Sequence, residues 1–148
     1  MALETQINAD IKTAMLAKNA AKLEALRAVK AAILLEKTKG ANSDLTTEVE
    51  MKLLQKLVKQ RRESADIYAQ NSRPELAEKE TVEANFIEEY LPKQMSNDEI
   101  ADEVKKIIAQ VGAASIKDLG KVMGVASKFF AGKADGKVVA ETVKSLLS

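Results

Sequence analysis

Only two prolines, Pro74 and Pro92, interrupt a chain of 148 residues dominated by Ala, Leu, Lys and Glu. All four are strong helix formers. No run of strand-forming residues exceeds three, so the chain is expected to be all-α. Hydrophobic residues make up 46% of it, enough for a core, but aromatics only 3% with no Trp. Leu, Ile, Val, Ala and Met must therefore fill that core.

Hydrophobic periodicity and end signals divide the chain into seven helices. The first runs from about Leu3 to Lys18, with Leu3, Ile7, Ile11 and Leu16 on one apolar stripe, and Asn19 loosens the chain after it. The second covers about Ala21 to Lys39, with Leu23, Leu26, Ile33 and Leu34 inward. Gly40 stops it and "ANSD" forms the loop. Thr47 and Glu50 have capping-box spacing and open a long third helix reaching about Gln70, with a seam of Leu53, Leu54, Leu57, Val58, Ala65 and Tyr68. The fourth starts at Pro74, reaches about Tyr90 and buries Leu76, Val82, Phe86, Ile87 and Tyr90. Ser96 and Glu99 form a second capping box before a fifth helix, Asn97 to Val111. Ser115 and Asp118 start the sixth, about Ile116 to Ala131, with Gly132 at its end. Asp135 caps the seventh, which ends near Leu147. The "LPKQMS" junction divides an N-terminal helical domain, 1–92, from a smaller three-helix domain, 96–148.

The residue inventory restricts the chemistry. There is no cysteine and no histidine. Disulfides, thiolate nucleophiles and thiolate metal sites are excluded, as are the commonest neutral-pH base and transition-metal ligand. Ser64, Ser115 and Ser127 have no base partner that spacing identifies. The acid pairs Glu88/Glu89, Asp98/Glu99 and Asp102/Glu103 are adjacent on helices, so their side chains diverge by about 100° and form no paired-carboxylate site. Glu80, Glu83 and Glu88 do not amount to a metal cluster by spacing. No catalytic residue, metal or cofactor is assigned. The N-terminus resembles no signal peptide, and no apolar run approaches the roughly 20 residues of a membrane span. A cytoplasmic protein without membrane contact is the expectation.

Net charge is +1, but it is unevenly spread. Residues 1–73 hold 13 basic and 9 acidic side chains, a net of +4; residues 74–103 hold 2 and 10, a net of −8; residues 104–148 hold 8 and 3, a net of +5. Such alternation does not suit a protein that coats nucleic acid uniformly, but one basic face suits local binding. The basic C-terminal stretch "GKVMGVASKFFAGKADGKVVAETVKSLL" looks at first like a phosphate loop. It lacks the GxxxxGK[ST] spacing and a preceding strand. Asp135 would also compete with a phosphate for the N–H groups at the last helix start. Gly120 and Gly124, four apart in the sixth helix, read as a groove that lets a neighbouring helix, or an RNA backbone, approach closely.

Two readings attach to the arginines. Arg27 and Arg61 flank the apolar seams, so their stems can cover the core edge while their guanidinium groups pair with Glu83, Glu88 or Glu89 of the fourth helix. The other reading makes Arg27, Arg61 and Arg62 phosphate forks. In the C-terminal domain, Lys121 and Lys128 share a helix face, while Lys133 and Lys137 bracket the cap of the last helix. These lysines are the candidate RNA-facing set, with ordinary solvated lysines as the alternative.

The motifs "LRAVKAAILLEK", "RRESADIYAQNSRPELAEKE", "IEEYLPKQMSNDEI", "SIKDLGKVMG" and "GKADGKVVAETVKSLL" together resemble the GatB/YqeY family over nearly the whole chain. The resemblance is to the stand-alone YqeY-like proteins. It implies an N-terminal helical bundle of about four helices followed by a small three-helix domain. The same pair of domains forms the C-terminal tail of the glutamyl-/aspartyl-tRNA amidotransferase B subunit, where the tail is associated with holding tRNA. The large catalytic domain of that subunit and the Ser- and Gly-rich amidase segment of its partner are not in this sequence. The resemblance therefore implies a non-catalytic, tRNA-binding or amidotransferase-associated accessory protein. Its partners would be tRNA and amidotransferase or aminoacyl-tRNA-handling proteins. The competing readings are a protein–protein adaptor, docking through the acidic fourth helix or the sixth-helix groove, and a component of a carbon–nitrogen ligase with glutamine as amido-N-donor.

Overall fold

A run of helix formers this long needs strong local signals to break it, and the breaks are where side chains cap backbone groups. The computed structural model describes residues 2–39 and 45–148. Its elements are α1 (Ala2–Leu16), α2 (Ala20–Lys37), α3 (Thr47–Gln70), α4 (Pro74–Glu88), α5 (Asn97–Val111), a single 3₁₀ turn (Ile116–Asp118), α6 (Leu119–Phe129) and α7 (Gly136–Leu147). The protein is all-α. Gly40 and the expected "ANSD" loop lie outside the described residues.

The chain falls into two compact units, Met1–Leu91 and Pro92–Ser148. In the first, α2 packs against α1 and α4, and α3 runs along α4. Its core holds Ile7, Ala14, Ala25, Leu26, Val29, Ile33, Leu54, Val58, Ala84 and Ile87. In the second, α5, α6 and α7 pack pairwise around Ile100, Val104, Ile107, Val122, Ala126, Phe130, Val139, Val143 and Leu147.

Several expected inward positions turn out. Leu16 is 87% exposed, because it lies five residues past Ile11 and so about 140° from it around the helix. Ala14, three residues past Ile11, continues the inner stripe instead. Leu34 is also exposed; Ala25, Leu26, Val29 and Ile33 form the inner face of α2 instead. Leu76 is exposed because it sits in the first turn of α4, whose buried segment begins at Glu83. In α1 and α2 the reason is shared: Ala, too small to signal a stripe, occupies much of the inner face.

The helix caps also differ from those expected. Asn19 does not loosen the chain; its Oδ1 accepts from the Lys22 N–H at 3.1 Å and caps α2. Thr46, not Thr47, caps α3, with extended backbone and Oγ1 accepting from the Val49 N–H. That puts Glu50 one residue too far for a capping box, and Glu50 is instead buried. The Ser96/Glu99 box forms in full, with both reciprocal bonds. The Ser115/Asp118 box also forms but caps the 3₁₀ turn, so α6 starts later, at Leu119. It also ends earlier, at Phe129, and Gly132 takes its left-handed backbone (φ 75°) within the turn that follows.

Candidate nucleic-acid interface

The candidate arginines divide by what they touch. Arg61 Nε lies 3.3 Å from Glu83 Oε2, with the two side chains 17% and 9% exposed. Arg61 also donates from Nη1 to the Leu57 carbonyl at 3.3 Å. Burial pushes the Glu83 carboxyl up, Arg61 pulls it back, and Glu24 and Glu80 push it up further. Arg62 donates from Nη2 to Asn85 Oδ1 at 3.0 Å and Glu88 Oε2 at 3.1 Å. Both arginines tie α3 to α4. Arg27 is exposed and makes no ion pair with the described residues. It lies seven residues before the exposed Leu34, so it shares that outward face of α2 and does not enter the seam. The arginines are therefore not gathered into one site.

The C-terminal lysines differ. α6 packs Val122 and Ala126 inward, with Leu119 and Met123 beside them. Lys121 and Lys128 are seven apart, within about 20° of one another on the helix wheel, and both are exposed. Neither they nor Lys137 forms an ion pair with a described carboxylate. Asp118, the acid nearest to Lys121 in sequence on this side, is engaged by the Ala114 N–H at 2.9 Å and more weakly by that of Ser115. These bonds, with a smaller pull from the Lys121 charge, hold its carboxyl below the ordinary range. Asp135 Oδ1 accepts from the Lys137 N–H at 3.0 Å and caps α7.

Lys133 is held by its backbone. Its N–H donates to the Phe130 carbonyl and its own carbonyl accepts from the Met95 N–H, both at 2.9 Å. Gln94 Nε2 donates to the Gly132 carbonyl at 2.7 Å. Residues 94–95 thus clamp the α6–α7 turn. The Lys133 ammonium sits 4.7 Å from the centroid of the Phe129 ring, a cation–π distance. Neither the clamp nor this contact was read from the sequence, although the i, i+4 spacing of Phe129 and Lys133 was visible.

Gly120 and Gly124 do not serve helix packing. Both are exposed, and a Cβ placed on either meets nothing within 4 Å. The groove expected at these positions is an open stretch of helix backbone beside Lys121 and Lys128. Elsewhere, no group of three or more Asp and Glu gathers to hold a metal ion among the described residues. None of the described helices is long and apolar enough to cross a membrane.

A family model described as Yqey-like protein matches residues 4–147. "Altered inheritance of mitochondria protein 41, mitochondrial" of Meyerozyma guilliermondii is 37% identical over 107 residues, covering 69% of this chain and 54% of that protein. The protein of the same name from Clavispora lusitaniae is 32% identical over 115 residues, covering 76% of this chain and 66% of its own length. The matched part of the chain thus spans between about half and two thirds of these curated relatives.

Proposed function

The chain belongs to the Yqey-like protein family, and from that premise we propose that it is a non-catalytic accessory protein that binds tRNA. Its C-terminal unit holds the RNA backbone through Lys121, Lys128, Lys133 and Lys137. The observation that carries this reading is the contrast between two sets of cations. Arg61 and Arg62 are consumed by Glu83 and Glu88 inside the N-terminal unit. None of the four C-terminal lysines forms an ion pair with a described carboxylate, although the Lys121 charge acts on Asp118, and Lys121 and Lys128 stand exposed beside the open backbone of Gly120 and Gly124. Lysines not locked in ion pairs attract a polyanion, and release of its counterions supplies most of the affinity. The resemblance to the tail of a tRNA-dependent amidotransferase selects tRNA among polyanions and makes amidotransferase or aminoacyl-tRNA-handling proteins the companion partners. The names of the relatives place those proteins in mitochondria. Mitochondria hold tRNAs of their own, so the role suits that compartment as well as the cytoplasm.

The test is a salt titration of binding to tRNA, with duplex DNA of matched charge beside it. Four phosphate contacts predict a log–log slope of roughly −3. Absence of salt-dependent tRNA binding overturns the proposal and leaves the adaptor reading, with the acidic outer face of α4 as the docking surface.

A further inference from the structure

We propose that Phe129 and Lys133 form a stacking site for one unpaired base, so that the RNA bound by the C-terminal unit is one with a single-stranded loop beside a helical backbone. The inference rests on the RNA-binding reading above and adds the class of RNA. Phe129 is 38% exposed, while its neighbour Phe130 is buried in the core. The two rings meet edge-on, 5.0 Å apart at 85°. Phe130 is thus a fixed post that orients the Phe129 ring. Lys133, with its backbone clamped from both sides, holds its ammonium over that ring.

The rest of α6 extends the pattern. Val125, one turn before Phe129, is also exposed. Val125 and Phe129 make an apolar strip, and Lys121 and Lys128 make a cationic strip about 70° away around the helix. A protein partner with a purely apolar face leaves the lysines beside it without an anion to meet. A polyanion with flat apolar groups matches both strips at once. A fully paired duplex hides the faces of its bases; a loop exposes them for stacking on an aromatic ring while its phosphates meet lysines. On binding, the Lys133 ammonium has a phosphate within its side-chain sweep and the Phe129 ring is freed for the base.

The experiment uses the full chain with two RNAs of equal phosphate number, a hairpin with an unpaired loop and a blunt-ended duplex. Phe129→Ala is expected to weaken hairpin binding on the order of tenfold and to leave duplex binding and the salt slope unchanged. Phe129→Leu, which keeps apolar volume without a π-face, should lose the same preference; Phe129→Tyr should retain it. A 2-aminopurine placed in the loop gives a readout on the unaltered chain: its emission should change on binding, and that of one placed in the stem should not. If Phe129→Ala and Phe129→Leu keep the parent's hairpin preference, or weaken the duplex equally, the stacking site is wrong while backbone binding through the lysines stands. If the parent binds neither RNA, both proposals fall.

Discussion

Arg61 and Glu83 meet where α3 crosses α4, largely shielded from water. Truncating the arginine strands a buried carboxylate, so Arg61→Ala should lower stability by roughly 1–3 kcal/mol, read by denaturant unfolding. RNA affinity of the folded protein should stay at the parent level. Pairing the change with Glu83→Leu should recover part of the loss, because the stranded charge is then gone. Gly124 makes the opposite case. A Cβ there meets nothing, so Gly124→Ala should stabilise the protein by up to about 1 kcal/mol, read from the same unfolding curves. Gly112→Ala should destabilise it, since Gly112 sits at φ 69°, where a Cβ is strained. At this scale the sequence showed that an arginine near an apolar seam faces acids of the next helix. It did not show that Arg27 turns outward, because the stripe was drawn through Leu34 and missed Ala25 and Val29. Gly120 and Gly124 were misread for a related reason: glycine spacing does not say whether anything approaches.

Helix ends in the C-terminal unit are set by carboxylates as well as hydroxyls. Glu99 accepts from the Ser96 N–H at 3.1 Å, and that bond, followed by the Ser96 hydroxyl, holds its carboxyl below the ordinary value of 4.5. Asp118 is held below its ordinary 3.8 by the Ala114 and then the Ser115 N–H. A group whose folded pKa is depressed contributes its stability above the unfolded value and loses it as pH falls through the folded one. The unit should therefore hold its stability down to about pH 4.5 and lose cap stability below that. Glu99→Gln, which keeps an acceptor that does not titrate, should flatten this acid limb in a pH series of melting curves. Ser96→Ala should cost about 1 kcal/mol at neutral pH. These caps were legible because a capping box has fixed spacing. The 3₁₀ turn was not, since Ser115 and Asp118 show the same spacing whether they open an α-helix or a single tight turn. The clamp of residues 94–95 on the α6–α7 turn joins positions nearly forty apart, and no local pattern announces it.

Each unit has its own apolar core, so the molecule should behave as two cooperative blocks. Ile87→Ala and Ile107→Ala each remove a buried Ile and should cost roughly 2–5 kcal/mol. Hydrogen exchange should place the first loss in the amides of residues 2–39 and 45–91 and the second in those of 92–148. The charge distribution follows the same division. The arginines of the N-terminal unit are spent on α4, and the open lysines stand in the C-terminal unit. The central claim is that those lysines bind tRNA, and the most direct measurement is tRNA affinity of the variant with Lys121, Lys128, Lys133 and Lys137 all changed to Gln, compared with the parent at low and moderate salt. Helicity should match the parent, because none of the four makes an ion pair with a described carboxylate, and the melting temperature should fall only by the small loss of the Lys133–Phe129 contact. The variant should bind much more weakly and lose most of its salt slope, by about one per lysine removed. A variant that binds tRNA as tightly as the parent, with the same salt slope, contradicts it.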